Sequence, residues 1–261
     1  MVDLTDSDRE AFHSTGQKVN QSTPTKSQNA GSTALSLTKV FLYMFGGLLI
    51  TTLVAFGVGA LVYYFIVVQG NGELTLPYFI VLISSAVLLI VDMLIINFVT
   101  LRGKHSILVP AIIYAVLVGI LFSMITIVVD WRLIGMAFGV TALVFLIMSL
   151  IAFLTKGNLA PLLIGAFGLL IGAGLLALFN WLFMLITGTG FSALYWIVTF
   201  AIFAVVMIVA LVDLWRIKKI AENGAMNNNI ALYCAFVMYV DFINIFIRVL
   251  YFIIIIFGRR R

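Results

Sequence analysis

The chain has 261 residues, of which 64% are hydrophobic and 10% charged, with a mean hydropathy of +1.22 and a net charge of +5. Soluble domains run near 45–50% apolar and about 25% charged, so this composition excludes an ordinary soluble fold. The basic residues scatter through polar connections instead of forming a stripe, so the excess positive charge does not suggest nucleic acid.

In chain order, residues 1–38 come first. They are rich in Ser, Thr, Gln and Asn and carry no apolar periodicity, which reads as a disordered cytoplasmic tail. The apolar run behind them starts too late and is too long for a signal peptide. A membrane-spanning helix needs about 20 mostly apolar residues. Segments near 40–68, 78–101, 107–129, 133–155, 160–186, 192–215 and 230–257 meet that requirement. The expected architecture is therefore all-α, a polytopic integral membrane protein with seven transmembrane helices in a membrane domain over 39–261. Pro77, Pro110 and Pro161 fall at or near the expected helix starts, where proline costs least. Gly168 and Gly172 form a small-xxx-small pair, expected to let the fifth helix approach a neighbour closely. Trp131, Trp181, Trp196, Tyr63, Tyr64 and Tyr78 lie toward segment ends, as interfacial anchors do. Cys234 is the single cysteine, so no internal disulfide forms, and its place on a span reads as an inert buried thiol.

Topology follows from the basic residues. With the N-terminus cytoplasmic, Arg9, Lys18, Lys26, Lys39, Arg102, Lys104, Lys156, Arg216, Lys218 and Lys219 lie inside, and Arg132 with Arg259, Arg260 and Arg261 lie outside. The excess inside satisfies the positive-inside rule. The terminal arginine cluster is the feature that keeps a six-span arrangement, with both ends inside, as the alternative.

Charges inside spans carry the functional reading. An aspartate in hydrocarbon costs about 2.5–3.5 kcal/mol on insertion scales. The chain keeps Asp92, Asp213, Asp241 and Arg248 there. Asp241, Asn244 and Arg248 stand at i, i+3 and i+7, one face of the last helix, and that face is expected to point into the bundle. Asp213 and Asp241 belong to the cytoplasmic half, with Asp92 toward the same side and Arg102 at the inner end of the second helix, so an acidic cluster beside a base is expected. Two neighbouring carboxylates cannot easily both ionise and titrate as a unit. Deprotonated, they attract a divalent cation. Calcium takes about six to eight oxygens and two carboxylates supply at most about four, so such a site binds weakly and releases readily. The competing reading is an interhelical hydrogen bond between one protonated and one charged aspartate, without transport.

At these residues the chain resembles the Bax inhibitor-1 family, also called the transmembrane Bax inhibitor motif family, in its prokaryotic type. ALYCAFVMYVDFINIFIRVLYFI at 231–253 is similar to the family's last-helix pattern, and Asp213 matches the other member of its paired aspartates. AFGVTALVFLIMS at 137–149 and GILFSMI at 119–125 are similar to its fourth-helix and third-helix elements. The likeness covers 40–257. It implies a bundle with the last helix central and six packed around it. It also implies a pH-sensitive calcium leak across a bacterial plasma membrane, with Asp213 and Asp241 as proton sensor and weak calcium site. Arg102 is the matching position for a latch, and Asp92, Asn244 and Arg248 are candidates along the pathway. The positive charge of Arg248 departs from the family's pattern and would lower cation flux or change selectivity.

Two other functions compete. One is a regulator that binds other membrane proteins, such as a quality-control protease, with the polar tail as docking segment. The other is an intramembrane aspartyl protease, which needs a Gly-x-Gly approach to one catalytic aspartate; Tyr239 and Val240 precede Asp241, and no such glycines precede Asp213. His13 and His105 stand alone and no nucleotide loop or metal-ligand cluster occurs. The expectation is a non-enzyme with no cofactor, calcium and protons being what it moves, and the lipid bilayer its constant partner.

Overall fold

The structure is a computed structural model that describes residues 26–70, 75–102, 107–188 and 190–258. The described residues form seven long helices and no strand. They are α1 (Lys26–Val62), α2 (Thr75–Arg102), α3 (Leu108–Val128), α4 (Trp131–Leu154), α5 (Pro161–Thr187), α6 (Ser192–Glu222) and α7 (Asn228–Gly258). The last turns of α1 widen into a π-helical stretch, Tyr63–Val68. All seven helices are long and apolar enough to cross a membrane. Their outer faces leave Leu, Ile and Phe side chains exposed along the length of the bundle. A surface of that kind is stable in lipid and not in water.

Local sequence explains where several helices begin and turn. Asp130 accepts a hydrogen bond from the Arg132 backbone N–H at 3.0 Å and caps α4. The Asn227 side chain accepts from the Ile230 N–H at 2.8 Å and caps α7. Pro161 opens α5 as expected, and Gly188 closes it with a φ of 73°, a left-handed conformation that glycine adopts without steric cost.

Two boundaries differ from those read in the sequence. Helix α1 begins at Lys26, so 26–38, read as part of the tail, is helical; residues 1–25 lie outside the described residues. Helix α6 runs to Glu222, seven residues past the expected end at 215. The reason is packing. Leu214, Ile217, Lys218 and Ala221 are all buried, and their spacing keeps one helical face against the bundle. Arg216, Lys218 and Lys219 therefore belong to a helix and not to a loop.

Helix α7 is the most enclosed of the seven. It packs on α1, α4 and α6 and meets α3 through aromatic rings. Tyr114 lies edge-on to Phe236 at 5.0 Å, and Phe122 packs on Phe246 at 5.8 Å. On the α4 side Phe242 meets Phe138 at 5.4 Å and Phe145 at 5.7 Å. The central place expected for the last helix is thus observed, with a refinement: α2 takes its main contacts from α3, and α5 from α6. The motif at 137–149 is the core face of α4, since Ala137, Thr141, Phe145, Met148 and Ser149 are all buried.

The close approach expected of Gly168 and Gly172 is not found. A Cβ built on either meets nothing within 4 Å. Helix α5 buries Ala166 and Ala173, one face of two small residues, while Gly168 is exposed and Gly172 half-buried along an open groove beside α6. Close approach occurs between α1 and α3. A Cβ on Gly119 would stand 2.7 Å from Val54 Cβ and 2.9 Å from the Thr51 carbonyl, and one on Gly59 would meet Thr126.

Candidate acid pair between the last two helices

Helix α6 is buried on two sides, with Val205 and Val212 on one and Ala210, Leu214 and Ile217 on the other. Asp213 lies between them. Its side chain is 20% exposed, and Oδ1 accepts from Arg216 Nη1 one turn further on, at a long 3.4 Å. Because α6 continues to Glu222, Asp213 lies about 14 Å from the helix end, at about 1.5 Å per residue. Asp241 is 7% exposed and sits among the apolar side chains that make α7 central. The two carboxylates come within electrostatic reach of each other. Asp241 Oδ2 is fully buried and has no hydrogen-bond partner among the described residues. A buried carboxylate oxygen without a partner is costly. A proton or a cation is the natural complement of such an atom.

The residues around this pair fall differently from expectation. Asp92 is buried on α2 and stands within electrostatic reach of Tyr114 on α3; its Oδ2 also has no partner among the described residues. Among the described residues no three Asp, Glu, His or Cys side chains come together, so the acidic cluster expected from Asp92, Asp213 and Asp241 does not form. Asn244 is exposed, contrary to the inward face expected of it. The core direction of α7 is set by Met238, Phe242, Ile245 and Val249. Asp241 lies at one edge of that sector, and a step of three residues turns back about 60°, out of the bundle. Arg248 is partly buried near Tyr251, whose hydroxyl is hydrogen-bonded to that of Tyr195 on α6. Arg102 closes α2, and its side chain lies outside the described residues. The described partner of Asp213 is Arg216.

Two polar devices were not singled out in the sequence. Lys218 is 8% exposed, and its Nζ donates to the Phe153 carbonyl at 2.7 Å and the Thr155 carbonyl at 3.1 Å. It satisfies the unpaired carbonyls at the end of α4, where a cation also suits the helix dipole. Its place one turn from both Leu214 and Ala221 was the available signal. Two residues before Asp241, the Tyr239 hydroxyl bonds Thr51 Oγ1 at 2.7 Å, and Thr51 donates to the Ala115 carbonyl at 3.0 Å. The single threonine proton is used on Ala115, so Tyr239 is the donor to Thr51. This relay ties α7 to α1 and α3. Gly47 makes room for it, since a Cβ there would press to 3.2 Å on the Tyr239 ring.

These features define a polytopic helical membrane protein with a buried aspartate, Asp241, on its central helix. Residues 33–259 match the family model described as inhibitor of apoptosis-promoting Bax1, and the chain belongs to the Bax inhibitor-1 family. A comparison with curated proteins finds no match.

Proposed function

We propose that this protein is a pH-sensitive calcium leak, with Asp213 and Asp241 as its proton-sensing pair and weak cation site. The observation that supports the reading is the buried Asp241 Oδ2, unpartnered among the described residues, on a helix within electrostatic reach of a second carboxylate. Protons and calcium compete for the same oxygens, so acidification weakens calcium at the pair and alkalinisation strengthens it. The protein acts without a catalytic step or resident cofactor. It sits in a bacterial plasma membrane with its N-terminus in the cytoplasm, the orientation favoured by the basic residues. Arg102 remains the proposed latch and Arg248 the brake on cation flux.

The test is calcium flux into liposomes holding the purified chain, at about pH 6 and about pH 8, beside Asp213→Asn and Asp241→Asn. The leak reading expects flux that changes with pH and is altered in both variants. Folded protein that stays silent in every arm would falsify it and leave the pair a structural hydrogen bond.

A second reading, a regulator that binds other membrane proteins, is favoured by the open groove that Gly168 and Gly172 of α5 line with Ile197 and Ala201 of α6. Small residues are what partner helices approach in lipid. Gly168→Leu with Gly172→Leu would then abolish co-purification of a membrane partner while leaving flux intact; retained co-purification counts against that interface.

A further inference from the structure

We infer that a cavity between α1, α3, α4 and α7 is a binding site for one acyl chain of an anionic phospholipid, whose headgroup lies at Arg132. The cavity measures about 440 Å³, within the range of about 300–1,000 Å³ typical of small-molecule sites. Its walls include Phe45, Phe56, Phe122, Phe138, Phe242 and Phe246.

Three hydroxyls line the same space, and none is free. Thr51 donates to the Ala115 carbonyl at 3.0 Å, Thr52 to the Leu48 carbonyl at 2.8 Å, and Thr126 to the Ser123 carbonyl at 2.8 Å. Water needs two to four polar partners to occupy a cavity, so this lining suits hydrocarbon. Gly135 on the α4 wall adds to the room, since a Cβ there meets nothing within 4 Å.

The polar end is built at the α3–α4 turn. Trp131 lines both the apolar cavity and a polar hollow that continues over Thr126, Asp130 and Arg132. The Arg132 guanidinium stands 5.6 Å from the centre of the Trp131 ring and is exposed. The Asp130 carboxylate is turned onto the Arg132 backbone N–H as the helix cap. A cation beside an interfacial tryptophan, above a dry slot, matches an anionic headgroup on a hydrocarbon chain. Such a chain would rest on Phe242 and Ile243, the two residues after Asp241, and so against the helix that carries the acid pair.

The experiment places the full chain in phosphatidylcholine vesicles with a small fraction of phosphatidylglycerol bearing a photoactivatable acyl chain, and maps labelled residues by mass spectrometry. The expected result is labelling of cavity residues on α1, α3, α4 and α7, suppressed by unlabelled phosphatidylglycerol far better than by added phosphatidylcholine. Gly135→Leu should cut the label several-fold by filling the slot. Thr52→Phe fills it from α1 and decides the same question if the first variant misfolds. Arg132→Gln should keep the label but abolish the headgroup preference. Equal competition by both lipids in the unaltered chain, or full labelling in a folded slot-filling variant, overturns the proposal and makes the cavity ordinary bilayer contact.

Discussion

The α1–α3 interface and helix α5 both carry glycines, yet they behave as opposites. At the first, Gly119 sits where no side chain fits, pressed on Val54 and the Thr51 carbonyl. On α5 a Cβ added to Gly165, Gly168, Gly172 or Gly174 meets nothing within 4 Å, and Gly168 and Gly172 line an open groove beside Ile197 and Ala201 of α6. Spacing alone does not separate them, because α5 carries Gly168 and Gly172 while α1, with Gly47, Thr51, Ala55 and Gly59, and α3, with Ala115, Gly119 and Ser123, carry the same four-residue spacing of small residues. The difference teaches that a small residue permits close approach without producing it. Approach requires a partner that fits at the glycine itself, and Gly119 of α3 has one in α1, which is held there by the Tyr239–Thr51–Ala115 relay and the Thr126 contact with the Ala55 carbonyl at 3.2 Å.

The comparison breaks first at Gly119. Gly119→Leu must push α1 from α3, an overpacking that costs typically about 1–3 kcal/mol and more where backbone is struck. The expected outcome is loss of a folded, monodisperse peak in detergent and a sharp fall in the thermal unfolding temperature. Gly168→Leu, in the same assay, should leave both nearly unchanged. A tolerant Gly119→Leu would mean that the α1–α3 contact does not hold the bundle.

Next in size is Lys218→Met, which keeps the apolar stem but leaves the Phe153 and Thr155 carbonyls without their cation. Hydrogen bonds to charged groups are worth about 1.5–3 kcal/mol, so the end of α4 should loosen. Faster amide exchange over 151–156, with α1–α3 unaffected, is the readout; unchanged exchange would show that the lysine does not hold this end.

Tyr239→Phe deletes one hydroxyl of the relay and should cost about 0.5–1.5 kcal/mol in denaturant titration. Combined with Thr51→Val, it should cost less than the two changes added, since they remove one shared contact. Strict additivity would deny the relay.

The smallest effect belongs to Gly172→Ala. In open space the added methyl meets nothing, and alanine is favoured over glycine in a helix by about 1 kcal/mol. Stability should hold or rise slightly; a fall would show that the groove between Gly172 and α6 is closed to a methyl.

Much of this architecture was legible in the chain. Length and hydropathy determined seven spans because hydrocarbon tolerates only helices or closed barrels. The isolated aspartates marked a candidate site because charge in lipid is expensive. The same pattern placed Asp213 and Asp241 on consecutive helices, and Cys234, read as buried from its place on a span, is 2% exposed. What the chain could not determine was direction around each helix axis. Apolar residues cover every side of these helices, so hydropathy does not distinguish a face toward protein from a face toward lipid. That choice belongs to the bundle. It turned Asn244 outward, separated Asp92 from the pair, drew Lys218 out of an apparent loop to cap α4, and left the α5 glycines bare. Only packing between helices, where one side chain must fit the space another leaves, selects among faces that the bilayer treats as equal.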